Sequence, residues 1–249
     1  MKDNVSSANV RIAHEGEVLV FTLDNPTAGN EITGGMFDAM LEALSAEVAA
    51  PQARVLRIRA EGEVFCLGRE RAGRDPTSIR AEVARLIRLK RAVRESPLIS
   101  VAEVHGDAAG FGIGLAILCD FTVVAESATL SFPEMRKGLP PAAIMAYLGR
   151  YALPKHLFPL VLLAENFSAE HARQIGLVTQ VSPRARLKDD VDTLVSRILA
   201  MDADGARACK AYFQAAQETS IEHNFDHATD FLMEQTLRLQ SRQQVQAEA

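Results

Sequence analysis

The sequence predicts a layered α/β fold with a helical segment at its C-terminal end. Through residue 181, short runs rich in Val, Ile, Leu and Phe alternate with stretches whose apolar residues recur at helical spacing. After that point only helical patterns follow. Alternating strands and helices are typical of a sheet covered by helices. We therefore expect a core over residues 1–185 and a C-terminal helical segment over residues 186–249.

The first 60 residues are predicted to form a hairpin, a helix and a strand. Residues 10–13 and 17–24 flank a His-Glu-Gly turn, which indicates a β-hairpin. Thr33 is a good N-cap for an amphipathic helix that ends near Ala50. Polar and apolar side chains alternate over residues 54–60, which predicts a strand buried on one face only.

The central part of the chain continues this alternation. A helix is predicted over residues 77–95, and residues 98–104 form a nearly continuous apolar run, which is typical of a strand buried on both faces. A glycine-rich stretch then leads, through a helix of about eight residues, to a strand at 121–125 that the pattern at 129–132 extends. The apolar stripe of the 77–95 helix consists of Ile79, Val83, Leu86, Ile87, Leu89 and Val93.

Helices dominate the remainder. The predicted ranges are helices at 140–150, 154–164 and 168–176, a strand at 177–181, and helices at 186–200, 204–217 and 220–240. The polar tail QQVQAEA is expected to fray. The last helix has a broad apolar face, which either core packing or a subunit interface would explain. The residues of this face are Ile221, Phe225, Phe231, Leu232 and Leu237.

Composition excludes several classes of protein. The 249 residues are 48% hydrophobic and 24% charged, as in ordinary globular proteins. A net charge of −5 argues against a nucleic-acid partner, and no apolar run approaches the ~20 residues of a membrane span. The N-terminus lacks signal features, and Cys66, Cys119 and Cys209 form no CxxC pair. We therefore expect a cytoplasmic protein with no membrane or nucleic-acid partner.

Two stretches place glycine where an apolar run turns into a helix or loop. They are HGDAAGFGIGLAILCD at 105–120 and FCLGRE at 65–70. Such junctions leave backbone N–H groups unpaired at the positive end of a helix dipole, so they suit an anion. This anion could be a nucleotide phosphate or a charge that develops during a reaction.

Other chemical motifs are weak. Gly110, Gly112 and Gly114 do not fit a dinucleotide fingerprint, because the third glycine comes one residue early and no clean acidic strand end follows at the expected distance. His223 and His227 lie four residues apart on one predicted helix, but histidines of this kind more often face solvent or an interface. We predict no metal site.

Five segments together resemble the crotonase (enoyl-CoA hydratase/isomerase) superfamily. FCLGRE resembles the family's FxAGxD turn, and HGDAAGFGIGLAILCD resembles its NGxAxGGGxELAxxCD turn and helix. LDNPTAGNEI, SFPEMRKGLPP and AEHARQIGLVTQVSP resemble its LNRPxxxNAL, FxxPExxLGxxP and AxxxGLVxxVxP segments. The resemblance covers most of the chain, in the family's order.

The resemblance implies a crotonase-like spiral of ββα units and a C-terminal helical oligomerisation segment. It also implies a homotrimer or a dimer of trimers that binds acyl-CoA thioesters. Coenzyme A would enter as part of the substrate, and no separate cofactor is expected.

By the same resemblance, the backbone N–H groups of Arg69 and Phe111 form an oxyanion hole. Two fixed donors would stabilise the enolate of a thioester, and losing one such donor typically costs ~3 kcal/mol. Of the two glutamates common in the family, one corresponds to Glu134 and the other falls at Gly114, so the second carboxylate is missing. We expect an apolar environment to raise the pKa of Glu134 toward working pH.

A single carboxylate suffices to move a proton along an acyl chain, so the residues favour double-bond isomerisation of an enoyl-CoA. The alternatives are an enoyl-CoA hydratase with an atypical site, an acyl-CoA thioester hydrolase, and an acyl-CoA-binding homologue with weak catalysis. A nucleotide-dependent oxidoreductase is a further hypothesis, from a different class of enzyme.

The resemblance also suggests binding residues. For coenzyme A these are Ala28, Asn30, Leu67 and Arg69, with Arg71 or Arg74 reaching phosphates. For the acyl chain they are Leu139, Ile144, Met145 and Tyr147.

Overall fold

The computed structural model describes residues 5–7, 9–71 and 73–247. The chain separates into two compact units, Met1–Ala200 and Met201–Ala249. The first unit contains both β-sheets, and the second consists of two helices. The predicted functional division at residue 185, between an acyl-CoA site and a helical segment, stays a prediction.

The main sheet has seven strands in the order β1-β2-β3-β4-β5-β7-β10. The first three strands pair antiparallel, and from β3 onward every pair is parallel. The strands are β1 Val5–Ser7, β2 Val10–Glu15, β3 Val18–Leu23, β4 Val55–Ala60, β5 Ile99–Val104, β7 Phe121–Ala125 and β10 Gln180–Ser182. A smaller sheet, ordered β6-β8-β9, consists of Ala108–Ala109, Thr129–Ser131 and Asn166–Ser168. The α/β prediction is confirmed.

The helices lie close to their predicted ranges, and the predicted N-caps Thr33 and Ser168 are present. Thr33 caps α1, and Asp75 accepts hydrogen bonds from the first amides of α2, as short polar N-caps do. The helices are α1 Gly34–Ala49, α2 Pro76–Glu95, α3 Phe111–Leu118, α4 Ala142–Leu148, α5 Pro154–Leu163, α6 Ala169–Gln174, α7 Leu187–Leu199, α8 Ala203–Ala216 and α9 Ile221–Ala247. No helix in the described ranges is long and apolar enough to cross a membrane.

Three predictions about local structure were wrong. Helix α9 continues to Ala247, so residues 243–247 of the expected frayed tail are helical, and the last two residues lie outside the described part. The last strand begins at Gln180 rather than at residue 177. Strand β4 is not buried on one face only, because its first four residues are all buried.

Arg57 explains the burial of β4. Its guanidinium, on a strand in the middle of the sheet, donates from Nε to Glu103 of β5 at 2.7 Å and from Nη1 to Asp192 of α7 at 2.6 Å. The pKa of Arg57 is raised: burial lowers it, but the neighbouring carboxylates outweigh that effect. A buried charge is retained when it is paired in this way, and the pairing ties α7 to the sheet.

The apolar face of α9 is mostly exposed. Ile221, Phe225, Leu232 and Leu237 are each more than half exposed. Phe231 differs, because its ring packs on Tyr212 of α8 at 4.6 Å between centroids. Core packing within this unit therefore accounts for Phe231, and the subunit-interface interpretation of the other four stays a prediction.

We expect Arg57→Met to lower the free energy of unfolding by about 3–5 kcal/mol, because Glu103 would remain buried without its partner. Urea denaturation followed by circular dichroism measures this difference. Arg173→Met is the control, since Arg173 pairs with Glu170 at the surface, where water screens the two charges and the pair contributes little to stability. Equal losses in the two variants would contradict the buried pairing.

Candidate active site

Two turns of the first unit lie side by side because their backbones are hydrogen-bonded. The turn at 65–70 follows β4, and Cys66 bridges to Ala108 of β6. The Ala109 amide donates to the Cys66 carbonyl at 2.9 Å. Cys66 is fully buried, as predicted for a small core residue, and burial raises the pKa of its thiol to about 12. This cysteine is therefore a packing residue of the turn.

Gly110 gives the second turn its shape. Its φ of 51° and ψ of −115° lie in a region that side chains disfavour, and α3 begins at the next residue, Phe111. A Cβ at Gly110 would lie 2.9 Å from Oε1 of Glu134. The Phe111 ring packs edge-on against Phe37 at 5.2 Å. The glycine therefore brings the backbone against Glu134, while the phenylalanine side chain packs on α1.

The amides of Arg69 and Phe111 have no partner in the described part of the chain: neither donates a hydrogen bond to another protein group there. Both residues line one cavity of about 690 Å³, together with Gly68, Gly110 and Glu134. The structure thus brings the two predicted donors and the predicted carboxylate to one space. Two N–H groups without protein partners at such a cavity can donate hydrogen bonds to a ligand oxygen.

Glu134 lies in a short 3-10 helix, Pro133–Lys137, at the rim of this cavity. Its Oε2 atom is buried and has no hydrogen-bond partner in the described residues. Burial raises the pKa of Glu134 above its ordinary value, while its own backbone amide and the charges of Lys90, Arg71 and Arg69 oppose the shift. A carboxyl group of this kind can exchange protons closer to neutral pH than an exposed glutamate.

At Gly114, the position predicted to correspond to a second glutamate, three side chains limit the space: Lys90, Tyr147 and Ile144, whose Cγ1 would lie 3.0 Å from an added Cβ. A Cβ there would lie 2.9 Å from Lys90 Nζ and 2.9 Å from Tyr147 Oη. Lys90 Nζ donates to Tyr147 Oη at 2.6 Å, and the Tyr147 hydroxyl donates to the Gly114 carbonyl at 2.6 Å. Lys90 also lines the cavity.

The residues predicted to bind coenzyme A divide into two groups. Leu67, Arg69 and Arg71 line the cavity, and Arg69 forms an ion pair with Glu82. Ala28 and Asn30 are not among the described lining residues. The Asn30 side chain accepts from the Asn25 amide and donates to two loop carbonyls, so its amide group holds the loop.

The remaining predicted residues are similarly divided. Leu139 and Ile144 line the cavity, whereas Arg74 and Met145 are not among its described lining residues. Met145 is 43% exposed. Tyr147 contacts the site through hydrogen bonds to Lys90 and to the Gly114 carbonyl, rather than as an apolar lining residue.

Lys90 is the site residue that the sequence prediction missed. It was omitted from the apolar stripe of α2 because it is a lysine, although it lies four residues after Leu86 and three before Val93. That spacing places it on the buried face, and its exposed fraction is 5%. A charged residue in register with an apolar stripe was the available signal.

Residues 13–247 match the sequence model of the family described as enoyl-CoA hydratase/isomerase. The chain is 26% identical to the 2,3-dehydroadipyl-CoA hydratase of Escherichia coli K12, over 85% of this chain and 84% of that protein. It is 29% identical to the carnitinyl-CoA dehydratase of Salmonella agona, over 88% and 85%.

Solved structures agree with these relatives. An enoyl-CoA hydratase of Mycobacterium smegmatis superposes with a TM-score of 0.87 and 27% identity, covering 91% of this chain and 90% of that one. A Thermobifida fusca homologue, solved in complex with CoA, gives a TM-score of 0.84 and 26% identity over 94% and 95%. The present chain has the same α/β spiral, it has the paired glycine turns, and the family model matches nearly its whole length. The chain therefore belongs to the enoyl-CoA hydratase/isomerase family of the crotonase superfamily.

Proposed function

We propose that this protein is an acyl-CoA-processing enzyme that isomerises the double bond of an enoyl-CoA through a thioester enolate. Glu134 takes a proton from C2 of a 3-enoyl thioester and returns it at C4. The amides of Arg69 and Phe111 hold the enolate oxygen between the two steps. The observation that carries this proposal is the convergence of two unpartnered amides and one buried carboxylate on a single cavity.

The physical basis is charge development at the thioester oxygen. Removing a proton beside the thioester places negative charge on that oxygen, and preorganised N–H donors stabilise it without reorganisation. The N-terminus of α3, which begins at Phe111, adds the positive end of its dipole. The raised pKa of Glu134 helps the same group to accept the proton and later to release it.

The cavity also has the features of an acyl-CoA site. Apolar side chains, among them Leu67, Leu86 and Ile144, line part of it and suit an acyl chain. Arg71 and Lys137 lie at the same cavity and suit phosphate groups. The CoA complex of the Thermobifida fusca homologue supports this choice of ligand.

Hydration of a 2-enoyl-CoA is the second candidate. The relatives named as a hydratase and a dehydratase favour it. Against it, no carboxylate extends from Gly114 to share the water with Glu134. A second proton-transfer group would remove this objection.

We expect Glu134→Gln to lower the isomerisation rate of a 3-enoyl-CoA by about 100-fold or more, because the amide cannot accept the proton. The measurement is product formation and deuterium incorporation in deuterated water, by chromatography and mass spectrometry. Glu70→Gln is the control: this glutamate ends the turn at 65–70 and is exposed. An unchanged rate of exchange in Glu134→Gln would exclude Glu134 as the base.

As the pH is lowered, the parent enzyme should lose isomerase activity at a higher pH than it would if the base were an exposed glutamate. Glu134 must be ionised to act as base, and burial raises its pKa, so protonation removes the base earlier as the pH falls. A profile of kcat/KM against pH measures this. An acid limb at the pH of an exposed glutamate would contradict the assignment.

We expect Gly110→Ala to remove most isomerase activity. The added Cβ would lie 2.9 Å from Oε1 of Glu134 and would displace the carboxyl group. Gly138→Ala is the matched control: Gly138 also has a positive φ, of 68°, but a Cβ there meets no atom within 4 Å. Both variants should lose about 1–3 kcal/mol of stability from backbone strain. If both variants unfold at a lower temperature and only Gly110→Ala loses activity, the close approach of Gly110 to Glu134 is needed for function. Equal activities of the two variants would contradict this role.

A further inference from the structure

Lys90 is a buried amine at the catalytic cavity that the proposed isomerisation does not use. It belongs to α2, is 5% exposed and lines the cavity together with Glu134 and Phe111. Its Nζ atom has one hydrogen-bond partner among the described residues, the Tyr147 hydroxyl at 2.6 Å. The amine therefore makes one hydrogen bond to the protein and keeps hydrogen-bonding capacity for a ligand.

The position of the amine is informative. A side chain at residue 114 would begin 2.9 Å from Lys90 Nζ. The amino group therefore occupies the space into which a second acid–base side chain from α3 would extend. Tyr147 holds it there, since its hydroxyl bonds both the amine and the Gly114 carbonyl.

The surroundings of Lys90 favour its neutral form. Burial lowers the pKa of Lys90 to about 7, and the charge of Glu134 opposes this shift. From α3 it faces the Phe111 ring at 5.2 Å, and from α4 the Tyr147 ring at 4.7 Å. Burial keeps the Tyr147 hydroxyl protonated by raising its pKa. Of the charged groups on the described elements around Lys90, Glu134 is the one that acts on it.

We propose that Lys90 is a second proton-transfer group of this site and enables it to add water to a 2-enoyl thioester. This inference rests on the proposed function, because it uses the same oxyanion hole and the same Glu134. The Lys90 amine on α2 would act as the second acid–base group, because Gly114 on α3 has no side chain to do so.

The hydration step uses neutral Lys90 and protonated Glu134 as its starting pair. Neutral Lys90 takes a proton from water while the water oxygen bonds to C3, and the C2–C3 π pair moves into the enolate held by the two amides. Protonated Glu134 then gives its proton to C2. The Lys90 ammonium finally returns a proton to the Glu134 carboxylate, which restores the starting pair. In isomerisation, Glu134 works alone from its ionised form.

Lys90→Arg is the decisive variant. Arginine keeps the positive charge near Glu134 but cannot deprotonate in a protein. We expect hydration of a 2-enoyl-CoA to fall by about 100-fold or more, and isomerisation of a 3-enoyl-CoA, in which Glu134 acts alone, to fall much less than hydration. Lys90→Met is the second variant, in case arginine does not fit. Its isomerisation is compared on the alkaline plateau, because losing the lysine charge raises the pKa of Glu134.

Thermal unfolding and coenzyme A binding establish that each variant is folded, and Lys210→Met controls for the loss of another buried lysine. Selective loss of hydration supports the proposal. A parent enzyme without hydratase activity, variants that retain hydration, or variants that fold but lose both reactions equally would overturn it. Failure of the proposed function gives a different result: Glu134→Gln would then retain isomerisation, whether or not the Lys90 variants retain hydration.

Discussion

The close approach of two backbone turns is the constraint on which the site depends. A Cβ at Gly112 would lie 2.2 Å from the Cys66 carbonyl oxygen, so this approach is open only to glycine. The Ala109 amide and the bridge between Cys66 and Ala108 hold the turns together. Because the two candidate oxyanion donors are backbone amides on these turns, their geometry depends on the sheet and α3. The side chains of Arg69 and Phe111 are free to serve packing and ion pairing.

The second constraint is the balance of charge around Glu134. Burial raises the pKa of this carboxyl group, and the charges of Lys90, Arg71 and Arg69 oppose that effect. The same burial lowers the pKa of Lys90. An acid that is hard to ionise and an amine that is hard to protonate thus line one cavity. Groups whose proton affinities are brought together in this way can exchange a proton at little cost in free energy.

Most of the fold could be predicted from the sequence because caps and periodicity are local properties. Thr33 set the start of α1, and the apolar stripe of α2 identified that helix within one residue at its start. Strands β1, β6 and β9 have two or three residues, which is too short for a period to be recognised. Helix α9 continues through its polar tail, where sequence pattern predicted fraying.

The candidate site was predictable where motif and geometry coincide, at Arg69, Phe111 and Glu134. Two buried cations escaped prediction for a common reason. Arg57 and Lys90 have polar side chains whose burial depends on partners distant in sequence, namely Glu103 with Asp192, and Tyr147. Residue type alone assigns such side chains to solvent, and only the tertiary contacts reverse that assignment. Asn30 is a related case, since its side chain is consumed by loop carbonyls rather than offered to a ligand.

The crowding at Gly114 makes three positions of the chain interdependent. A glutamate introduced there meets Lys90 Nζ and Tyr147 Oη at 2.9 Å before its carboxylate is placed. A carboxylate side chain at residue 114 would therefore require a smaller or reoriented side chain at residue 90 or 147 at the same time. Side chains from α2, α3 and α4 thus share one small volume, and a substitution at any of these three positions changes the space that is open to the other two.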